Sequence, residues 1–319
     1  MKILIAGGAG YIGSRLIPRL LERGYRIDVI DLFWFGNHLP KEVGILNKDI
    51  FKVTEEDLRG YDQVIFMAGL SNDPMAEYLP NENFIYNASA PAYLAYIAKR
   101  AGTKRYIYAS SCSVYGYTVD QLYDESSPAI VNYPYGISKL QGEWGALQMK
   151  SDKFSVIALR QGTVSGYSPR MRLDLVVNAM FKTAVTDNLI VVNNPAIWRP
   201  ILSIADATSA YIRAIEANES ISGVFNVASG NYTVGEIGDL VQAEVEERLG
   251  IHVKIEIKHI QDFRNYKVDI EKARNVLSFK PNHDVKSIVR DLIANMEKFK
   301  DFNNPNYYNI QVFKNRQTN

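Results

Sequence analysis

The sequence predicts an α/β fold: a doubly wound parallel sheet carrying a smaller α+β cap that binds a ligand. Three observations point there. Short apolar runs alternate with amphipathic segments, the first run leads straight into a glycine-rich turn, and helices dominate beyond about residue 230. Strands are expected at 2–6 (KILIA), 26–31 (RIDVID), 62–69 (DQVIFMAG), 105–111 (RYIYASS), 155–160 (SVIALR) and 224–229 (VFNVAS). Near-continuous Val, Ile, Ala and Tyr runs suit strands covered on both faces. Helices are expected between them at 11–23, 82–101, 135–149 and 205–217. The cap should hold helices at 233–249 and 284–300 and the strand HVKIEI. The stretch 166–195 reads as an insertion, after which 224–229 returns to the main sheet. The expected domains are therefore 1–165 with 196–230, and 166–195 with 231–319. The polar end from residue 303 reads as a loosely held terminus.

Composition narrows the function. The 319 residues are 47% hydrophobic and 22% charged, with a net charge of +1. That balance shows no basic footprint for nucleic acid. The single cysteine, Cys112, excludes an intrachain disulfide and fits a reducing, cytoplasmic setting. The opening MKILIAGGAG is apolar too briefly for a leader or a membrane span. The four histidines are scattered and no Cys/His spacing suits a metal, so none is expected.

The glycines carry chemistry. Gly8, Gly10 and Gly13 satisfy G-x-G-x-x-G directly after the first strand, and Gly7 precedes them. Glycine is needed where a backbone turns tightly and approaches a pyrophosphate, and the next helix offers its N-terminal amides to the phosphates. Asp31 ends the second strand, near the ~20-residue spacing expected of the acid that takes ribose hydroxyls. Its charge would repel a 2′-phosphate, so NAD is favoured over NADP. Further on, Tyr135 and Lys139 stand four apart, on one face of a helix. A lysine there is expected to lower the phenol's pKa and ready it for proton transfer with an alcohol.

These motifs stand in the order of a known family. GGAGYIG at 7–13, Asp31, KDI at 48–50, VIFMAGL at 64–70, Asn87, SSCSVYG at 110–116 and YGISK at 135–139 carry the resemblance, with LRQGTVSG at 159–166 and WRPILSIADA at 198–207. Over nearly its whole length the sequence resembles the extended short-chain dehydrogenase/reductase family, in its nucleotide-sugar epimerase and dehydratase branch. The resemblance implies a Rossmann-type fold, bound NAD and a nucleotide-diphosphate sugar as substrate. It implies Tyr135 as acid/base, Lys139 as its partner, Ser111 as the residue that orients the sugar hydroxyl, and Asn87 near the catalytic groups. Gly7, Gly10, Tyr11, Ile12, Gly13, Asp31, Asp49, Ile50, Met67, Ala68 and Gly69 would hold NAD, with Asn87, Tyr135 and Lys139. Ser111, Ser113, Thr163, Arg170, Asn178, Arg199 and Arg264 would face the substrate, the arginines at its diphosphate.

The reaction follows by elimination within that resemblance. Cys112 and Ser113 stand where a 4,6-dehydratase carries Asp-Glu, and no histidine lies between 39 and 251 to complete a 3,5-epimerase pair. A 4-epimerase working through a transient 4-keto sugar is expected. The alternatives are a nucleotide-sugar 4-dehydrogenase or 4-keto-reductase and, in a different class, a non-catalytic NAD-binding regulator. The family also implies a homodimer through the helices at 82–101 and 135–149, whose aromatic positions include Tyr86, Tyr93, Tyr96 and Trp144.

Overall fold

The computed structural model describes residues 1–260 and 264–317. Seven strands form the main sheet in the order Gly223–Val227, Ser155–Gln161, Arg105–Ser111, Gln63–Phe66, Lys2–Ala6, Arg26–Ile30 and Gly44–Leu46. Every pairing in it is parallel. The expected six strands are all present. The seventh, Gly44–Leu46, is a three-residue edge strand too short to show periodicity. Strand order reverses beside Lys2–Ala6, with later strands added on its other side, and in open parallel sheets the ligand crevice lies at such a switch point.

Helices cover both faces. One core gathers Ile3, Ile5, Leu16, Leu20, Ile107, Leu159 and Tyr211; the other gathers Leu4, Phe66, Leu94, Tyr106, Tyr108 and Val156. Alternate residues of one strand thus serve opposite layers, each large apolar side chain contributing about 1.5–3 kcal/mol by leaving water. A third core holds Leu173, Phe181, Ile190, Val192, Val241, Val253, Val289 and Phe299. It joins the 166–195 stretch to the helices Val234–Leu249 and Val285–Asn295. The expected cap strand forms as Lys254–Lys258 and pairs in parallel with Leu189–Asn193.

Two expectations need correction. The segment at 82–101 is not one regular helix: α-helical turns Pro80–Phe84 and Ala90–Arg100 flank a π-helical turn, Ile85–Ser89. The terminus is not loosely held over 303–317, its last two residues lying outside the described ones. Asn309–Gln317 is a helix, and its Phe313 meets Trp34 edge-on at 5.0 Å and Phe35 at 6.1 Å. Phe313 finds apolar partners in the loop after the second strand, which no local pattern announces.

Candidate active site

Two adjoining cavities open at the C-terminal ends of the central strands. The larger, of about 600 Å³, is lined by Gly10, Ser111, Tyr135, Lys139, Arg172 and Arg264 among others. The smaller, of about 110 Å³, is lined by Asp31, Trp34, Lys48, Ile50 and Tyr86. Gly7, Gly10, Phe35, Met67, Ala68, Gly69 and Leu70 border both.

The glycine turn is built by contact. A Cβ on Gly13 would lie 2.2 Å from the Gly8 carbonyl oxygen, so the turn closes only with glycine. Gly10, by contrast, would meet only the Gly7 carbonyl, at 3.1 Å, and otherwise faces the cleft. Asp31 accepts backbone N–H bonds from Ala9 at 3.0 Å and Phe33 at 2.8 Å. Burial raises its pKa, and these amides oppose the rise. The groups present fit a dinucleotide: an open glycine cradle, a fixed acid at the second strand, and an apolar slot with Ile50 beside it. Asp49 lies next to Ile50 at the edge of this slot. It caps the short helix Ile50–Lys52 and accepts the Tyr86 hydroxyl at 3.0 Å.

Tyr11 and Ile12 follow the glycines. The Tyr11 hydroxyl donates to the Gly166 carbonyl, and its own carbonyl accepts Ser168 Oγ at 2.7 Å. Asn178 completes this joint. It accepts from Gly166 N–H at 2.9 Å and donates to the Tyr11 hydroxyl at 3.0 Å and the Arg172 carbonyl at 2.7 Å. The substrate contact expected of Asn178 is thus replaced by a structural tie between the glycine turn and the 166–195 stretch.

The reacting groups come from neighbouring elements. Ser111 ends the third strand from the sheet's edge, and Ser113 Oγ donates to Ser111 Oγ at 2.8 Å. Tyr135 and Lys139 share one face of the helix Pro134–Leu147. Tyr135 hydrogen-bonds with Ser111, and burial pushes its pKa up to about 12, with the Asp73 carboxylate adding to the rise. Lys139 is not the group that offsets it. The Lys139 ammonium donates to the Ala109 carbonyl and lies 4.5 Å over the Tyr108 ring. Burial lowers Lys139 to about 7, and Glu143 acts in the opposite direction. The influences that pull Tyr135 down are Arg172 and Ser111.

The π-helical turn aims Asn87. Its Nδ2 donates to the Leu70 carbonyl and to Asn83 Oδ1, both at 2.8 Å. Its buried Oδ1 has no hydrogen-bond partner among the described residues. Gly69, at φ +121°, makes room for that oxygen, which would lie 2.1 Å from any Cβ there. Such π turns recur at functional sites.

The remaining expected residues divide. Thr163 and Arg199 line the larger cavity. Arg199 donates to the Trp198 carbonyl at 2.9 Å and to the Arg264 carbonyl. Arg264 reaches the cavity because Asn265–Val268 pairs with Tyr117–Tyr123, and its guanidinium meets Asp73 at 2.8 Å. Cys112 is buried and its thiol is pushed up by burial, a packed residue as its surroundings require.

Residues 71–74 join Arg172 and Asp174 in a polar wall whose partners the sequence does not reveal, although Arg172 itself stands out as a candidate for phosphate or hydroxyl contact. Arg172 grips both oxygens of Asp174, at 2.9 and 2.8 Å, and donates to Ser71 Oγ at 2.9 Å. Asn72, at φ +145°, donates to Asp174 at 3.0 Å and caps the helix Asp73–Tyr78. Backbone held in so sparse a region concentrates at functional sites. The run NDP reads as a helix start, which gives the signal for the element but not for its aim.

A dinucleotide cleft with Ser, Tyr and Lys converging above it marks an α/β enzyme of the nicotinamide-dependent class. The chain belongs to the NAD dependent epimerase/dehydratase family, whose model matches residues 3–228. Its cofactor is NAD. It is 26% identical over 318 residues to UDP-glucose 4-epimerase of Corynebacterium glutamicum, covering 92% of this chain and 95% of that protein. It is 28% identical over 299 residues to UDP-glucuronic acid decarboxylase 3 of Arabidopsis thaliana, covering 88% of this chain and 84% of that one. Among solved structures, MoeE5 in complex with UDP-glucuronic acid and NAD shares the fold at a TM-score of 0.82 and 24% identity, over 93% of this chain and 99% of that one. No helix among the described residues is long and apolar enough to cross a membrane.

Proposed function

We propose that the protein is a nucleotide-sugar 4-epimerase working through a transient 4-keto sugar. The observation that carries this reading is the hydrogen-bonded Ser111–Tyr135 pair opening on the cavity that also holds Lys139, Arg199 and Arg264. NAD, when bound, supplies the hydride acceptor and returns the hydride. Ser111 orients the C4 hydroxyl. Tyr135 takes its proton and later restores one, with Ser111 and Arg172 stabilising the phenolate. Lys139 places a buried cation at the cavity wall. Arg199 and Arg264 grip the diphosphate, Arg264 exchanging Asp73 for phosphate oxygens.

The test is incubation of the purified protein with UDP-glucose, UDP-galactose and UDP-glucuronic acid, followed by NMR. C4 isomers forming without net NADH are the expected outcome. Net NADH would favour a 4-dehydrogenase, and carbon dioxide release from UDP-glucuronic acid would favour the decarboxylase chemistry named for the Arabidopsis relative. Absence of turnover on any UDP-, GDP-, CDP- or dTDP-sugar would sink the enzyme reading in favour of an NAD-binding regulator.

A homodimer belongs to the same proposal. Tyr96 and Trp144 are 45% and 55% exposed on the paired helices, whereas Tyr86 and Tyr93 pack against the core. A sedimentation coefficient of two chains at micromolar concentration is expected; a single chain there would refute the dimer.

A further inference from the structure

The cleft holds a buried cation that the proposed chemistry does not use. Arg170 is 3% exposed. Its Nη2 donates to Asn309 Oδ1, its Nη1 to the Met171 carbonyl at 3.4 Å, and its guanidinium lies 3.8 Å from the centre of the Phe35 ring. Its Nε is buried without a hydrogen-bond partner among the described residues. Among those residues no carboxylate forms an ion pair with it, whereas neighbouring Arg172 is neutralised by Asp174. Burial and the Arg172 charge lower its pKa to about 9. A buried charge in this condition calls for an anion.

Its place in the cleft says which anion. Arg170 lines the larger cavity, where Tyr135 and Ser111 stand, and stacks on Phe35, which borders both cavities. Its charge also acts on Asp31 in the smaller cavity and on Tyr11 of the glycine turn. It therefore sits where the cleft passes from the ribose acid to the reacting end, the stretch a dinucleotide spans with its pyrophosphate. The C-terminal helix Asn309–Gln317 holds this arrangement together. Asn309 binds Arg170 at one side and donates to Ser71 Oγ at 2.9 Å on the other. Phe313 packs on Trp34 and Phe35, and the Arg316 guanidinium lies 3.9 Å over the Trp34 ring.

We propose that Arg170 is the counter-charge of the NAD pyrophosphate, and that the C-terminal helix is a strap that retains NAD by holding Arg170 and closing over Trp34 and Phe35. This moves Arg170 from the sugar nucleotide to the cofactor. It rests on NAD binding and not on the C4 reaction, so its test does not depend on turnover.

The test measures NAD release from the holoenzyme into a large excess of NAD-scavenging dehydrogenase, alongside the affinity of UDP for the same samples. Arg170→Met, Asn309→Ala and Phe313→Ala are each expected to release NAD at least about tenfold faster, with UDP affinity changed less than about twofold, as loss of a charge-assisted contact implies. Arg170→Lys should recover part of the retention, and added salt should hasten release from wild type more than from Arg170→Met. If Arg170→Met leaves NAD release unchanged and weakens UDP, the arginine serves the substrate and the proposal falls. If Phe313→Ala and Asn309→Ala release NAD at the wild-type rate, the strap falls. Should Arg170→Met fail to fold, Arg170→Lys and Asn309→Ala decide the matter, since both keep a cation or Arg170 itself in the cleft.

Discussion

Tyr135→Phe is expected to lower turnover of the nucleotide sugar by about 10²–10⁴-fold, the range for loss of a positioned proton-transfer group. The substitution removes one oxygen. Tyr135 lies against Ser111, and its hydroxyl hydrogen-bonds with that residue. Stability should therefore change by no more than about 1 kcal/mol, the net worth of one hydrogen bond. NAD content should stay largely unchanged, because the ring of residue 135 is kept and Asp31 and the glycine turn are untouched. The measurement is kcat for isomer formation beside the melting temperature and the NAD released on denaturation. Wild-type turnover in this variant would end the mechanism.

The largest stability loss is expected at Glu143. It is fully buried, and Arg160 reaches both its oxygens, at 2.9 and 2.6 Å, while Ser110 Oγ donates at 2.6 Å. Arg160 also donates to the Tyr115 hydroxyl at 2.8 Å, and that hydroxyl donates onward to Asn226 Oδ1 at 2.8 Å. Glu143→Ala would leave the Arg160 guanidinium charged and buried without its partner. Breaking such a pair from one side costs about 3–5 kcal/mol, a large part of an ordinary domain's 5–15 kcal/mol. The variant should unfold at markedly lower urea. It also removes the charge that supports Lys139, so the lysine's pKa should fall below about 7. A Glu143→Ala protein with wild-type urea stability would show that the pair is not worth what its burial implies.

What could be read from the chain was what lies close together in it. The strand, glycine turn and helix at 2–21, the acid at 31 and the Tyr135–Lys139 pair each fall within one local pattern. Ser111 was legible only through its order among the other motifs. The rest depends on contacts between distant segments. Arg172 acts on Tyr135 from the insertion, and Asn309 reaches Arg170 across 139 positions. The groups that lower Tyr135 are Arg172 and Ser111, while the Lys139 ammonium donates to the Ala109 carbonyl. Helical spacing places two residues on one face but does not say where a long side chain ends. The terminal helix escaped notice because Ile310 and Phe313 are interspersed with polar residues, so its apolar side emerges only against Trp34 and Phe35.

The π-helical turn at Ile85–Ser89 has a consequence for how this helix can vary. A π turn holds one residue more than the α turn it replaces. Deleting a single residue there would restore a regular spiral and improve local hydrogen-bond geometry. One wide turn would give way to one ordinary turn, so the flanking α-helical segments would keep nearly the same phase and the change would fall on the residues of the turn itself. Asn83 and Asn87, now joined at 2.8 Å, would lose their alignment, and the Asn87 oxygen would turn from the space Gly69 leaves for it. The extra residue is thus absorbed within a single turn whose width aims Asn87, and chain length in this stretch is as strict a requirement as amino-acid identity.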